Sequence, residues 1–507
     1  STPSTPSTPS TPSVPSPSSG SPAPLPPVPP GLERPHFIGI AGSGMSGVAK
    51  LLLRRGARVS GSDRAGSSPV AEALRGLGAV VRAGHAAAQL PGDASCVVVS
   101  SAIAEDNPEL LRARETGVPV VRRAAALAAL TEGSRTVAVA GTHGKTTTSS
   151  MLAVALRAIG EDVSYVIGAD LDAPCSGAEQ GRGELFVAEA DESDHSFHAY
   201  RPETAVVLNI EFEHHANYGS LEEIYASFET FADRLAPGGT LVVCADHPGA
   251  RELTRRVLAG PHPPRVLTYG ESTGADVRIT GVTSVTGITG ITGDAGRGGG
   301  SRITVRAAGE RIAFDVSVPG RHYAQDAVAA LTAGLAQGVP AARLAPALAR
   351  YTGARRRLEH KGKAAGVAVV DTYAHHPTEM AADLAALRAA TGHARLLVAY
   401  QPHLYSRTRA LGAAMGRALA MADAGLVLDI YPARERPVPG VDSRLVIDAA
   451  REAGADVADR VFTLAEAPAA IAALAGPGDV IVTMGGGDIT TLGPEILRHL
   501  DDLARPR

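Results

Sequence analysis

The sequence predicts an α/β protein of parallel sheets covered on both faces by helices, spread over about three domains. Three observations lead there. The chain has 507 residues, and at roughly 150 residues per domain that is more than one core absorbs. Apolar residues make up 44% and charged residues 20%, the balance of a soluble folded chain. From Pro35 onward, short apolar runs alternate with Ala/Leu-rich stretches of helical period. Apolar strands separated by helices pack as parallel sheets buried on both faces.

The first thirty residues hold twelve of the 36 prolines and almost nothing apolar. That is too little burial to offset backbone ordering, so residues 1–33 are predicted to be a disordered, locally extended tail. Strands are predicted at His36–Ile40, Ala57–Ser60, Cys96–Ser100, Thr136–Ala140, Leu185–Ala188, Ala205–Ile210 and Leu241–Cys244. Four more follow at Val367–Val370, Arg395–Tyr400, Leu426–Ile430 and Asp479–Thr483. Helices fall between them, among them Gly47–Arg55, Lys145–Ile159 and Asp326–Gln337. One region breaks the rhythm: Gly281–Gly300 carries eight glycines and reads as a loop, followed by a hairpin of Arg302–Val305 and Arg311–Val318 on the middle domain. Polar stretches at Glu132–Arg135 and Tyr351–Arg357 mark boundaries, giving domains over 34–133, 134–352 and 353–507.

Composition removes several function classes. A formal charge of −4 offers no field to hold DNA or RNA. No apolar run reaches the roughly 18 residues of a membrane span, so no membrane insertion is expected. Cys96, Cys175 and Cys244 stand far apart without a CxxC pair, which argues against a disulfide scaffold and a cysteine zinc site. The first residues show neither a basic n-region nor an apolar h-region, so a reducing, cytoplasmic location is expected.

The chemistry lies in loops that follow strands. Gly42-Ser43-Gly44-Met45-Ser46-Gly47 is a complete G-x-G-x-x-G opening a helix, and Asp63 follows 21 positions after Gly42. Such glycines let a diphosphate approach backbone amides at a helix N-terminus, and the acid sits where a ribose is held. NAD and another diphosphate, such as a UDP-sugar, both fit. The second loop, Gly141-Thr142-His143-Gly144-Lys145-Thr146-Thr147, lies between a buried strand and a helix. Its amides form an anion nest, Lys145 reaches the outer phosphates, and the Thr146 hydroxyl suits Mg²⁺, so ATP is the expected ligand. Glu189, with Asp191 and Asp194 behind it, ends the next strand, where the Mg²⁺ of a nucleotide is held. His214, in Asn209–His215, is a candidate for a second ion. Later strands end in Asp371–Glu379, Gln401–Thr408, Asp429–Glu435 and Met484–Asp488, and an arginine cluster, Arg355–Arg357, precedes them. Together they form a rim at the carboxyl ends of the strands, where open α/β sheets bind ligands.

In this order, HFIGIAGSGMSG, GTHGKTTT, EADESD, NIEFEH, GRH, GARRRLE, YAHHPTE, QPHLYSRT, DIYPARE and MGGGD make a chain that resembles the Mur ligase family over about residues 34–500. The resemblance implies a Rossmann-like N-terminal domain for a UDP group, a central ATPase and a Rossmann-like C-terminal domain closing over it. It is greatest to the members that join L-alanine to UDP-N-acetylmuramate. It therefore implies those two substrates, ATP, Mg²⁺, an acyl-phosphate intermediate, a place in peptidoglycan precursor synthesis and a monomer or homodimer. By the same resemblance Lys145 neutralises phosphate, Thr146 and Glu189 hold one Mg²⁺, and His214 holds a second. Gly141–Thr147 and Arg356 then meet ATP phosphates, and Asp371 meets its ribose. Tyr373, His375 and Arg407 surround the reacting carboxylate and alanine, while Gly42, Ser43, Gly44, Met45, Ser46, Asp63 and Ser101 bind the UDP-sugar.

Some positions depart from the family pattern. Thr372 stands for a second Asp, Leu404 for an Arg, Ala216 for an Asp, and Tyr323 and Asp326 for Asn. Competing readings are a murein-tripeptide recycling ligase, a folylpolyglutamate synthase, a silent UDP-sugar binder and, from another class, an NAD-dependent oxidoreductase using Gly42–Asp63.

Overall fold

The computed structural model describes residues 24–42, 44–171, 175–213, 217–285, 299–433 and 435–505. Three sheets follow one another along the chain. The first holds β1 (Pro35–Ile38), β2 (Ser60–Asp63), β3 (Val80–Ala83), β4 (Cys96–Val99) and β5 (Val120–Arg122) in the order β3-β2-β1-β4-β5. All its pairings are parallel. Helices α1 (Met45–Arg54), α2 (Pro69–Gly76), α3 (Pro108–Thr116) and α4 (Arg123–Thr131) flank it. The strand order reverses between β1 and β4, so the loop after β1 opens at the switch point where such sheets receive ligands.

The central sheet holds β6 (Arg135–Ala140), β7 (Ser164–Val166), β8 (Ala178–Glu179), β9 (Leu185–Glu189), β10 (Thr204–Val207), β11 (Thr240–Cys244) and β12 (Arg265–Gly270). The antiparallel run β13 (Val277–Val285), β14 (Gly300–Ala307) and β15 (Glu310–Val316) extends it. In the order β15-β14-β13-β12-β11-β10-β6-β9-β7-β8, the phosphate-loop strand β6 lies between β10 and β9. Helices α5 (Lys145–Ala158), α6 (Leu221–Asp233), α7 (Pro248–Leu258), α8 (Arg321–Ala336) and α9 (Ala341–Ala347) belong to this domain. The residues of β6 from Val137 to Ala140 are fully buried, as the apolar run VAVA requires.

The third sheet holds β16 (Glu359–Ala364), β17 (Val367–Thr372), β18 (Leu396–Gln401), β19 (Ala424–Leu428), β20 (Val457–Phe462) and β21 (Val480–Gly485). Its order is β16-β17-β21-β18-β19-β20, parallel except for the edge pair β16–β17. Helices α10 (Pro377–Thr391), α11 (Tyr405–Leu419), α12 (Arg444–Glu452), α13 (Ala467–Leu474) and α14 (Gly493–Ala504) cover it. Among the described residues no helix is long and apolar enough to cross a membrane.

Four expectations are corrected. Residues 24–33 are not all tail: Leu32 is buried and Val28 packs on the core, because these apolar side chains find the first domain. The second strand is Ser60–Asp63, although SGSD lacks an apolar run. At Gly61 a Cβ would lie 2.6 Å from the Phe37 carbonyl oxygen, so close strand packing there selects small residues. Gly281–Val285 belongs to β13, bulged between Ile279 and Gly281, rather than to a loop. Helix α8 starts at Arg321, five residues before the expected Asp326, with Gly320 at φ +117° as its N-cap.

Candidate active site

Helix α5 begins at Lys145 with Gly144 as N-cap in the left-handed conformation and no side-chain cap. First-turn amides of a helix have no intrahelical acceptor, so this end is open to an anion. The loop is braced from β10: Asn209 Oδ1 accepts the His143 amide at 2.7 Å, and Asn209 Nδ2 donates to the His143 carbonyl at 3.0 Å. Lys145 Nζ donates to the carbonyls of Gly141 and Thr142 at 2.6 and 3.2 Å and pairs with Glu192 at 2.9 Å. Burial opposes its charge, but Glu192, Asp191 and Glu189 outweigh it and hold the ammonium well above the ordinary lysine range.

The end of β9 brings Glu189 to the same place. Thr146 Oγ1 donates to Glu189 Oε1 and Oε2 at 3.1 and 3.0 Å, and the Gly168 amide donates to Oε2 at 2.6 Å. A Cβ on Gly168 would lie 2.6 Å from Glu189 Oε1, so glycine makes room for the acid. Oxygens about 3 Å apart suit neighbouring vertices of an octahedron with Mg–O bonds of about 2.1 Å. Thr146 and Glu189 therefore fit Mg²⁺. His214 and Ala216, like Ser43, lie outside the described residues.

Thr146, Glu189, Arg356, Arg357 and Tyr373 line one cleft of about 510 Å³ between the central and C-terminal domains. The two neighbouring arginines point to different partners. Arg356 is tied into its own domain: Nε donates to Asp371 Oδ2 at 3.3 Å and Nη2 to the Gly485 carbonyl at 2.6 Å. Arg357 instead reaches across, with Nη2 3.4 Å from Thr146 Oγ1. Both guanidinium groups lie over the Tyr373 ring, at 4.8 and 5.2 Å. Asp371, the residue expected at the ATP ribose, has its own set of partners in this structure. Asp371 is fully buried, and besides Arg356 it accepts from Thr483 and Thr490 at 2.6 and 2.8 Å. It is a fastening within the third sheet.

From Tyr373 a line of contacts runs on to His375, whose ring meets it edge-on at 5.0 Å, and to His403 at 5.6 Å. Burial and then the Arg407 charge push His375 down to about 4, and burial with His375 pushes His403 down to about 3. Both imidazoles are thus neutral near pH 7. Arg407 is buried and donates to Glu213 Oε1 at 2.8 Å and His403 Nδ1 at 2.9 Å. Its guanidinium ties the C-terminal domain to the segment before His214.

The expected UDP-sugar loop is closed on itself. The amides of Met45 and Ser46 both donate to the Gly42 carbonyl at 3.0 Å, and the Met45 side chain is core. Asp63 accepts the amides of Ala41 and Ala65, each at 3.0 Å, so it braces the turn with one bond on each carboxylate oxygen. Gly44 and Ser46 do line a cavity of about 200 Å³ shared with Asp170 and Cys175 of the central domain. Ser101 is exposed in the loop after β4. Of the departures, Thr372 is buried and donates to Asp383 at 2.5 Å, while Leu404 caps α11 at φ +71°. Tyr323 is buried, and burial pushes Asp326 up to about 7. Asn209, Glu192, Glu211, Glu379 and Arg357 carry the site without having been singled out. All but Asn209 are acids or a base that acquire a role only from partners distant in sequence.

Three family models match in succession: the Mur ligase family catalytic domain over residues 34–135, the Mur ligase middle domain over 139–334, and the Mur ligase glutamate ligase domain over 356–487. The UDP-N-acetylmuramate–L-alanine ligase of Streptomyces coelicolor is 63% identical over 469 residues, covering 92% of this chain and 98% of the relative. Among solved structures, the UDP-N-acetylmuramate-alanine ligase of Thermotoga maritima shares the fold with a TM-score of 0.75 at 23% identity, over 93% of this chain and 99% of that one. A murein peptide ligase from Psychrobacter arcticus reaches 0.69 at 22% identity, over 94% and 100%.

Proposed function

The chain belongs to the Mur ligase family, and on that premise we propose that it joins L-alanine to UDP-N-acetylmuramate with conversion of ATP to ADP and phosphate, the first amino-acid addition in peptidoglycan precursor synthesis. One observation carries the reading from the geometry: the uncapped phosphate loop, the Thr146–Glu189 pair and Arg357 from another domain meet in a single cleft. The 63% identity to an L-alanine-adding relative along nearly its full length supports the choice of substrates.

A carboxylate and an amine do not condense in water, so the muramyl carboxylate must first take the γ-phosphoryl group of ATP. The acyl phosphate is then opened by the alanine amine, and inorganic phosphate leaves. Both nucleophiles belong to substrates, so the chain's task is to bring anion to anion and neutralise the developing charge. Lys145 is already charged and held over the loop, and it exchanges its carbonyl and Glu192 partners for phosphate oxygens. Arg357 adds a second fixed charge from the opposite wall. Thr146 and Glu189 would hold Mg²⁺, which when bound draws charge off the β- and γ-phosphate oxygens. On the sequence motif alone His214 is proposed for a second ion. His375, neutral near pH 7 with Nδ1 on the Tyr373 carbonyl, offers its other ring nitrogen as a hydrogen-bond acceptor for the alanine ammonium, and Arg407 orients the neighbouring wall. The cytoplasm, where ATP and UDP-linked precursors occur together, is the proposed location.

Phosphate release is to be measured with UDP-N-acetylmuramate, Mg²⁺ and each amino acid in turn, with L-alanyl-γ-D-glutamyl-diaminopimelate as a further arm. L-Alanine should stimulate release and yield a new amide linkage. Release with the tripeptide alone, or no ADP at all, would overturn the assignment.

A further inference from the structure

A second cluster of metal-ligand side-chain types begins at His143, three residues before Thr146, and has different chemistry. His143 of the phosphate loop, Glu211 after β10 and His376 at the N-cap of α10 each offer a ligand atom, all within 4.8 Å of one another. It is the one such group among the described residues. Two ligands come from the central domain and one from the C-terminal domain. We propose that His143, Glu211 and His376 form a site for a borderline transition-metal ion of the Zn²⁺ class, which would staple the phosphate loop to the C-terminal domain.

Three observations argue for it. First, His143 Nε2 is fully covered but makes no hydrogen bond, standing 3.5 Å from Glu211 Oε2. A buried imidazole nitrogen without a bond is a cost that a metal ion removes. Second, the other ring nitrogen is already committed, because His143 Nδ1 lies 3.0 Å from Glu379 Oε1. A carboxylate accepting the far N–H of a histidine sets its tautomer so that the lone pair points to a metal, the recurrent carboxylate–histidine–metal relay. Third, His376 is lightly engaged: its Nδ1 accepts the Thr378 amide at 3.4 Å and lies 3.9 Å from Glu211 Oε2. Its ring sits 4.7 Å from that of His143, so small rotations bring the three donors onto one ion.

The donor set distinguishes the ion. Two imidazoles and a carboxylate suit Zn²⁺ and its neighbours, with a position left for water. Thr146 and Glu189 offer only oxygen, the set that Mg²⁺ prefers. The two sites therefore sort hard and borderline cations side by side. Because the ion would bridge two domains across the cleft, its occupancy is expected to slow turnover, and excess Mg²⁺ should not displace it.

Equilibrium dialysis of the full chain against ZnCl₂ with millimolar Mg²⁺ present is the direct test, with Co²⁺ loaded in parallel for its visible d–d absorption. One ion per chain should bind, and Co²⁺ should show the intense bands of a low-coordinate N₂O site. His376→Gln and Glu211→Gln should each weaken binding at least tenfold, and Glu379→Gln, which removes the relay charge while keeping an acceptor for the His375 and His376 amides, by about 10- to 100-fold. Circular dichroism and thermal melting of each variant without metal would show that it folds. Stoichiometric binding that all three variants retain, or no binding to the parent chain, would overturn the proposal. Neither result depends on which amino acid the enzyme ligates.

Discussion

At Lys145 three acceptors hold the ammonium: the carbonyls of Gly141 and Thr142 and the Glu192 carboxylate. Lys145→Ala should lower ligation by at least about 10²-fold while UDP-sugar affinity survives, because that cavity lies between the other pair of domains. Equal loss of both by calorimetry would refute the separation. Glu189→Ala should shift the Mg²⁺ dependence of phosphate release about tenfold or more upward, and an unchanged titration would remove Glu189 as a ligand. The neighbouring arginines separate binding from stability. Arg357→Ala should raise the KM for ATP about tenfold with little change in melting. Arg356→Ala strips a fully buried Asp371 of its counter-charge and should cost on the order of 3 kcal/mol in unfolding experiments. If instead Arg356→Ala melts normally and weakens ATP, the roles drawn from the geometry are reversed. The sequence could show three consecutive arginines, but not which of them faces the loop. That depends on Arg356 taking a positive φ of 62°, which turns its side chain back toward Asp371.

At the level of elements, the site is a set of strand ends. β6 delivers the phosphate loop, β9 delivers Glu189 and β10 delivers Asn209, because neighbouring parallel strands present their carboxyl ends on one edge. Those strands were legible because their burial demands continuous apolar runs. Strands β2, β16 and β20 were misplaced or missed because SGSD, EHKGKA and VADRVF carry no such run. Their place comes from pairing with an established neighbour. Gly144 carries a related constraint at φ +85°, where an added Cβ would also meet Asp326 Oδ1 at 2.5 Å. Gly144→Ala should therefore abolish measurable nucleotide binding by fluorescence titration while leaving the UDP-sugar domain folded; normal affinity would mean that the loop tolerates a rebuilt N-cap.

Across the whole molecule, the C-terminal domain is held on the central one by a few polar pairs: His143–Glu379, Thr378–Glu211, Arg407–Glu213 and the Arg355 amide on the Asp170 carbonyl. Stability depends on pH from both sides, through His143 in the first of these pairs and through His375 and His403 buried in the C-terminal domain. His143 is raised from 6.5 to about 9, so its contribution is complete below 6.5 and disappears as pH climbs through about 9. His375 and His403 are lowered to about 4 and about 3, so stability is also lost as pH falls below their ordinary 6.5, where only the unfolded chain takes up the protons. Thermal midpoints against pH should trace a plateau with two falling limbs, and His143→Gln should flatten the alkaline limb alone; two unchanged limbs would contradict the pairing. The chain by itself determined the three α/β domains, the glycine-rich strand-to-helix loop at Lys145 and the family, since each rests on local patterns: apolar runs, glycines at fixed spacing and motifs in order. Only the tertiary structure decided that Arg357 rather than Arg356 faces the loop, that Asp371 and Asp63 serve as braces, and that His143, Glu211 and His376 converge. These outcomes depend on which side chains compete for one buried partner, as with Arg357 and Thr146, 211 positions apart, and Asp371 and Thr483, 112 apart, and no local pattern encodes that competition.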